Sequence, residues 1–353
     1  MNSNNKIYSL GIVGVRGYVG KELLGLLLAH PQINIDWISS RQLKGQLMSS
    51  LLDKGFDNST DGHTDTRNDC TITSLSAKEV ALRGTDIVVL ALPNGLAEPF
   101  VEEITLSNTT KVIIDLSADY RFGDRLDVRL DKDWIYCLPE LDHKALEAAH
   151  NLGLIKISNP GCYATAMQLV IAPIQDLLSR PANCFGVSGF SGAGTTPSAF
   201  NDPDNLKDNL IGYKLVDHLH EKEVTTRLNS AISFSPHVAE FFRGINMTVQ
   251  LEFKQPQSVE GLLQSYNQFY QHFPLVECQL ETPTIQQVIN KPISVIGGIT
   301  VSSDGKRATI INCLDNLLKG AASQALQNIN IALGLDPLLA IQSNDHLSTK
   351  GEG

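Results

Sequence analysis

The chain has 353 residues, 42% of them hydrophobic and 19% charged, with a formal net charge of −10. That length and balance predict a globular protein of two or three domains, and the acidic surface, without a Lys/Arg-rich stripe or interleaved aromatics, excludes nucleic acid as a partner. No apolar run approaches the ~20 residues of a membrane helix, and the polar opening Met1-Asn2-Ser3-Asn4-Asn5 lacks the zones of a signal peptide, so a cytoplasmic protein away from membranes is expected.

Residues 7–13 alternate and run into Gly14-Val15-Arg16-Gly17-Tyr18-Val19-Gly20, after which Leu23, Leu24, Leu26, Leu27 and Leu28 lead to Pro31. The pattern reads as strand, glycine turn and helix. Its Gly-x-x-Gly-x-x-Gly spacing differs from the commonest dinucleotide fingerprint. It offers the same devices: a tight turn, close backbone approach to phosphate, and a helix N-terminus facing the anion. Gly14, Arg16, Gly17, Tyr18, Val19 and Gly20 are therefore expected at a cofactor; a packing turn is the alternative. Residues 33–38 form the next strand, and the position about 20 residues past the turn, where an acid would accept from a ribose hydroxyl, reads Ser39-Ser40-Arg41. Ser39 and Arg41 suit a 2′-phosphate, which predicts NADP(H) over NAD(H), unless Arg41 is only a solvated loop residue. Residues 43–70 read as a polar surface excursion.

The runs Asp86-Ile-Val-Val-Leu-Ala-Leu-Pro93 and Lys111-Val-Ile-Ile-Asp-Leu116 suit strands covered on both faces of a parallel sheet. Ligands of such sheets bind at the carboxyl ends of the strands, which places Pro93 and Ser117 near the cofactor. Next comes Ser158-Asn-Pro-Gly-Cys162-Tyr-Ala-Thr-Ala166, a cysteine where a Pro-Gly turn enters an apolar helical pattern extending to about Leu178. The partial positive charge of a helix N-terminus favours thiolate, and the small residues that follow leave room for a substrate carbonyl, so Cys162 reads as a nucleophile for acyl transfer. Residue type alone also allows a buried, inert cysteine. The other five of the six cysteines (70, 137, 184, 278 and 313) form no C-x-x-C pair and no cluster with histidine at zinc spacing, so no metal site is expected and the thiols are taken as free.

Beyond Cys162, strands near 185–190, 232–235, 245–253 and 293–301 and a helix over 259–270 predict a mixed α+β second domain. A last long helix is expected over 315–333. Among nine histidines, the distinct cluster is Tyr213-Lys-Leu-Val-Asp-His218-Leu-His220-Glu-Lys-Glu223. On a helix His220 and Glu223 share a face, so the carboxylate is expected to orient the imidazole; an exposed charged helix start is the bland alternative, and His237 is the next candidate.

Together these stretches resemble the N-acetyl-gamma-glutamyl-phosphate reductase family. The likeness rests on the glycine turn, Asp115-Leu-Ser-Ala-Asp-Tyr-Arg121, Leu138-Pro-Glu-Leu141, Asn159-Pro-Gly-Cys-Tyr163, Ser188-Gly-Phe-Ser-Gly-Ala-Gly194, His218-x-His220-x-x-Glu223, Pro236-His237 with Arg243-Gly244, and Asp315-Asn-Leu-Leu-Lys-Gly-Ala-Ala322. It departs from the family's usual pattern at Cys137, Ala164, Thr195 and Lys222, which leaves room for a related acyl substrate. The resemblance implies an α/β fold: a Rossmann-type parallel-sheet domain (1–158 with 317–353) and an α+β catalytic and oligomerisation domain (159–316) of the semialdehyde/glyceraldehyde-3-phosphate dehydrogenase type. It further implies NADP(H), an acyl phosphate substrate, a dimer or tetramer, a Cys162 nucleophile and His218 or His220 as acid/base. By the same analogy Asn316 is assigned to the nicotinamide, and Asn159, Ser191, Gly192 and Arg243 to the substrate. An aspartate-semialdehyde dehydrogenase-like enzyme and a non-catalytic NADP-binding protein are the alternatives.

Overall fold

The computed structural model describes residues 6–51, 69–122 and 134–341, so much of the expected excursion 43–70 lies outside the described residues. The chain divides into two compact units: one holds the described residues up to Arg121, 134–159 and those from Ala322 onward, and the other holds Pro160–Ala321. The return to the first unit thus falls at Ala322, against 317 read from the sequence.

In the first unit, β1 (Tyr8–Val13), α1 (Tyr18–Leu28), β2 (Ile33–Ser39), α2 (Ala77–Leu82), β3 (Ile87–Leu90), α3 (Glu98–Ser107), β4 (Val112–Asp115), β5 (Trp134–Tyr136), α4 (Pro139–Ala148) and β6 (Ile155–Ser158) follow one another. The six strands are parallel in the order β2-β1-β3-β4-β6-β5. Every residue of β3, β4 and β6 is buried, the mark of strands covered on both faces. The order turns around between β1 and β3, and the opening left at the carboxyl ends there is where such sheets take ligands. α1 presents Gly20, Leu23, Leu24 and Leu27 to the core, at the spacing of one helical face.

The second unit is built from α5 (Cys162–Ile171), β7 (Ala182–Gly189), α6 (Pro203–Leu206), β8 (Leu210–Gly212), α7 (Leu219–Leu228), β9 (Ile232–Ala239), β10 (Ile245–Glu252), α8 (Val259–Tyr270), β11 (Val276–Cys278), α9 (Ile285–Val288), β12 (Ser294–Val301) and β13 (Arg307–Leu314). Its mixed seven-stranded sheet runs β11-β12-β13-β10-β7-β9-β8. Alternate residues of β7, β9 and β10 are buried, and that face carries α5, whose residues Tyr163–Ile171 are all buried. A helix with no solvent face must satisfy its end groups internally. Tyr266 and Tyr270 of α8 do so, donating their hydroxyls to the carbonyls of Val170 and Leu169 at 2.6 Å each. The helix stops at Ile171, short of the expected 178, and continues as a 3-10 turn over Ala172–Leu177, where Pro173 has no N–H to extend the α-helical ladder.

The last expected helix also differs. Asp315 accepts from the amides of Leu317 and Leu318 and its carbonyl accepts from Gly320 five residues on, so the chain forms a π-turn over Leu318–Ala322 before α10 (Ser323–Ala332) begins. Every residue of α10 is buried, its polar side chains included. Asn328 donates to the Cys137 carbonyl at 2.9 Å and to Asn159 Oδ1 at 3.0 Å, and Asn330 Oδ1 bonds the His30 ring at 3.0 Å, so α10 is bonded into the first unit through specific amides.

Candidate functional site

The glycine turn after β1 has the shape a dinucleotide needs. Gly14 sits at φ 95°, and a Cβ there would lie 2.3 Å from the Ala91 carbonyl, so only glycine fits. A Cβ on Gly20 would press on the Val15 backbone at 3.0 Å, whereas one on Gly17, the N-cap of α1, would meet nothing within 4 Å. The turn is thus tight on its protein side and open at the helix start, where no side chain caps α1 and no acid occupies its first turn. Arg16, Tyr18 and Val19 are half-buried around that opening, and Arg41 is exposed beyond β2.

Ser39 and Ser117 also bond within the first unit. The buried Ser39 hydroxyl accepts from the Leu75 amide at 3.0 Å. Ser117 donates to Asp115 Oδ2 at 2.7 Å and accepts from the Asp119 amide at 3.1 Å. Ser117 therefore serves the loop: Asp119 accepts from the Gly95 amide at 2.6 Å, and Asn94 from the Ala118 amide at 3.0 Å, which ties the turn after β3, with exposed Pro93, to the turn after β4. Asp115, fully buried at the end of β4, has its pKa pushed up to about 6 by burial, against its hydrogen bonds with Ser117.

In the second unit Cys162 is the first residue of α5, half-buried, with Gly161 as N-cap. Glu223, fully buried on α7, accepts from the Gly161 amide at 2.9 Å. That bond seats the first turn of α7, which carries His220, against the first turn of α5. The Gly161 bond also makes Glu223 hold the peptide in front of the nucleophile. Tyr163, next in the chain, packs edge-on against the rings of His220 (5.9 Å), His218 (6.3 Å) and Phe234 (4.9 Å), and Tyr213 lies 5.6 Å from His218. Burial, with the neighbouring Cys162 sulfur second, pushes the Tyr213 phenol up to about 12. Neither tyrosine is among the expected site residues; both rings lie beside Cys162, Tyr163 as its neighbour in the chain and Tyr213 through the charge of its sulfur.

The two histidines separate. His218 is the N-cap of α7, its Nδ1 accepting from the His220 amide at 3.1 Å, and burial, with Lys214 adding to it, lowers its pKa from 6.5 to about 4. That shift keeps His218 a neutral cap at neutral pH. On β9, His237 alternates with buried Phe234, Pro236 and Val238: its carbonyl accepts from the Tyr163 hydroxyl at 2.7 Å, and its ring lies tilted against exposed Phe185 with centroids 4.5 Å apart.

The cap carries a pH prediction. Below pH 6.5 the unfolded chain takes up a proton at position 218 that the folded chain refuses until about 4, so this residue lowers stability as pH falls through that window. His218→Asn keeps a capping acceptor without the titration. Urea unfolding from pH 7 to pH 4.5 should therefore show the variant gaining on the wild type by on the order of 1–2 kcal/mol, discounted for partial solvent access. Parallel profiles would mean that the ring titrates normally.

Most of the remaining expected contacts lie in the second unit. Asn316 accepts from the Gly244 amide at 2.7 Å and donates to the Ser191 hydroxyl at 3.0 Å, and a Cβ on exposed Gly192 would lie 3.0 Å from Ser188 Oγ. Each end of the Asn316 amide thus makes one hydrogen bond inside the second unit, which fixes its orientation and leaves a second N–H. Arg243 is paired: its Nη2 donates to Asp315 Oδ1 at 3.0 Å and its Nε lies 2.7 Å from Oδ2 of that fully buried carboxylate, an ion pair that fixes the guanidinium. Asn159, in the first unit, accepts on Oδ1 from Asn328, and its carbonyl accepts from Arg121 at 2.9 Å. Among the described residues no group of three or more His, Cys, Asp or Glu could hold a metal, and no helix is long and apolar enough to cross a membrane.

Residues 9–149 match the semialdehyde dehydrogenase NAD binding domain and residues 162–316 the semialdehyde dehydrogenase dimerisation domain. The fold is similar to that of aspartate semialdehyde dehydrogenase II from Vibrio cholerae, with TM-score 0.71 and 16% identity over 93% of this chain and 99% of that one. The N-acetyl-gamma-glutamyl-phosphate reductase of Xanthomonas axonopodis pv. citri is 46% identical over 95% of this chain and 98% of its own, and that of Stenotrophomonas maltophilia 45% identical over 96% and 99%. Identity at that level, sustained through both the glycine-turn unit and the Cys162 unit, makes this chain a member of the N-acetyl-gamma-glutamyl-phosphate reductase family.

Proposed function

We propose that the protein reduces N-acetyl-L-glutamyl 5-phosphate to N-acetyl-L-glutamate 5-semialdehyde with NADPH, releasing phosphate, in arginine biosynthesis. The observation that carries the reading is the Glu223–Gly161 hydrogen bond, which brings the turn bearing His220 to the turn bearing Cys162. Gly14, Gly17 and Gly20 with the α1 N-terminus fit a dinucleotide, and Arg41 is the residue proposed for the 2′-phosphate. Bound there, the reduced nicotinamide supplies a hydride.

The protein's own residues do the rest. His220 accepts the thiol proton as Cys162 sulfur attacks the acyl carbon; the C–S bond forms, the bond to phosphate oxygen breaks, and a thioester remains on Cys162. The Cys162 amide at the start of α5 donates to the oxyanion. After hydride addition to the thioester carbon, His220 protonates the resulting oxyanion and takes the proton back as the C–S bond breaks, releasing aldehyde and thiolate. One demanding reduction becomes two accessible steps. The dimerisation-domain match supports self-association of the second unit as a dimer or tetramer, and free thiols at all of the described cysteines are consistent with a cytoplasmic setting.

The reaction is tested in reverse by NADP-dependent oxidation of N-acetylglutamate semialdehyde in phosphate buffer, beside aspartate semialdehyde. Preference for the second substrate would overturn the assignment. For the cofactor, Arg41→Ala should raise KM for NADPH about 10-fold and leave that for NADH unchanged; an unaltered NADPH constant would remove Arg41 from the site.

A further inference from the structure

Position 320 stands in closer contact with the candidate nucleophile than any catalytic motif required. A Cβ built on Gly320 would lie 2.8 Å from Cys162 Cβ and 3.3 Å from Cys162 Cα. Real Cβ atoms do not approach that closely, and the colliding atoms cannot swing aside, because Cβ and Cα are fixed to the backbone of α5, whose following residues are all buried. Gly320 cannot retreat either. Its amide donates to the Asp315 carbonyl at 2.9 Å in the π-turn, and the Asp315 carboxylate holds the start of that turn through Leu317, Leu318, Asn290 and Arg243. Single π-turns are uncommon and tend to occur at functional sites.

We infer that Gly320 is a positioning residue: the π-turn Leu318–Ala322 is a rigid backbone stop that sets where Cys162 stands at the head of α5, and only glycine allows it to seat. The inference deepens the function proposed above and rests on it for its catalytic arm. It also accounts for a feature that the sequence leaves unread, the π-turn interposed before α10. The turn lets the chain approach Cys162 through a position with no side chain, directly after the buried Leu317 and Lys319.

The test is a pair of double-mutant cycles. Gly320→Ala should lower Tm by roughly 5 °C through overpacking. Combined with Cys162→Ala, which keeps the colliding Cβ, the loss should persist. Combined with Cys162→Gly, which removes it, the loss should shrink to that of a helix-start glycine alone. If Gly320→Ala does not fold, recovery of a folded protein by Cys162→Gly, and not by Cys162→Ala, supports the inference equally. Equal losses in both backgrounds would overturn it. The catalytic arm reads position directly: in folded Gly320→Ala, kcat should fall about 100-fold with KM nearly unchanged, since a displacement of about 1 Å costs that much. The pH profile of iodoacetamide labelling at Cys162, followed by peptide mass, should shift as the sulfur leaves its place at the helix terminus. An unaltered kcat and labelling profile would show that the contact does not govern the nucleophile. A wild type inactive on the acyl phosphate would defeat the proposed function while leaving the stability cycles decisive.

Discussion

Cys162→Ser should abolish turnover, with kcat reduced at least ~10³-fold, while Tm moves little. The substitution exchanges one heavy atom at a half-buried helix start and leaves the backbone of α5 untouched. A hydroxyl at this position is far less ionised and less nucleophilic than a thiol. The diagnostic measurement uses acyl phosphate without NADPH. Wild-type enzyme should release about one equivalent of phosphate and gain the mass of one acyl group on the peptide holding Cys162, and the serine variant should do neither. His220→Asn should behave differently, retaining a slow burst with kcat lowered roughly 10²–10⁴-fold, because a general acid/base assists both steps without forming the covalent bond. Phosphate release by the serine variant at the wild-type rate would remove Cys162 from the chemistry.

What the sequence disclosed and what it concealed follow from how local each requirement is. The turn at Gly14 is legible because its φ and its contact with Ala91 admit one residue type, and β3 and β4 are legible because burial on both faces demands an unbroken apolar run. Cys162 stood out because a Pro-Gly turn followed by small residues is a local signature of a helix start. Glu223, by contrast, sits in a stretch that reads as an exposed charged face, and its burial depends on an amide 62 residues away. The capping role of His218 is hidden by its type, since histidine is an unusual N-cap. The polar residues of α10 give no amphipathic stripe because the helix is buried all round, with Asn328 and Asn330 bonded inside the first unit to partners such as Asn159 and His30. Arg243 was read as a free cation for the same reason: its partner Asp315 lies 72 residues further on.

That last pairing sets the largest stability effect expected outside the nucleophile. Asp315 is fully buried; its two oxygens accept from Arg243 Nη2 at 3.0 Å and from the amides of Asn290, Leu317 and Leu318 at 2.8, 2.9 and 3.2 Å, and Arg243 Nε lies 2.7 Å from Oδ2 as an ion pair. Asp315→Ala strands a nearly buried guanidinium and three amide donors at once, and should cost about 3–5 kcal/mol in urea unfolding. Asp315→Asn keeps one acceptor oxygen but turns a donor group towards donors, so it should recover only part of that loss. Arg243 then decides between two roles. A residue that anchors a substrate anion would, when changed to Lys, raise KM and leave stability alone. The ion pair predicts the opposite balance, because an ammonium cannot reproduce the guanidinium fork: Arg243→Lys should lose stability and kcat together with a modest change in KM. Measured with Asp315→Asn in a double-mutant cycle, the two changes should couple strongly. Additive losses, with KM carrying the whole effect of Arg243→Lys, would return the arginine to the substrate and leave Asp315 a support for the backbone alone.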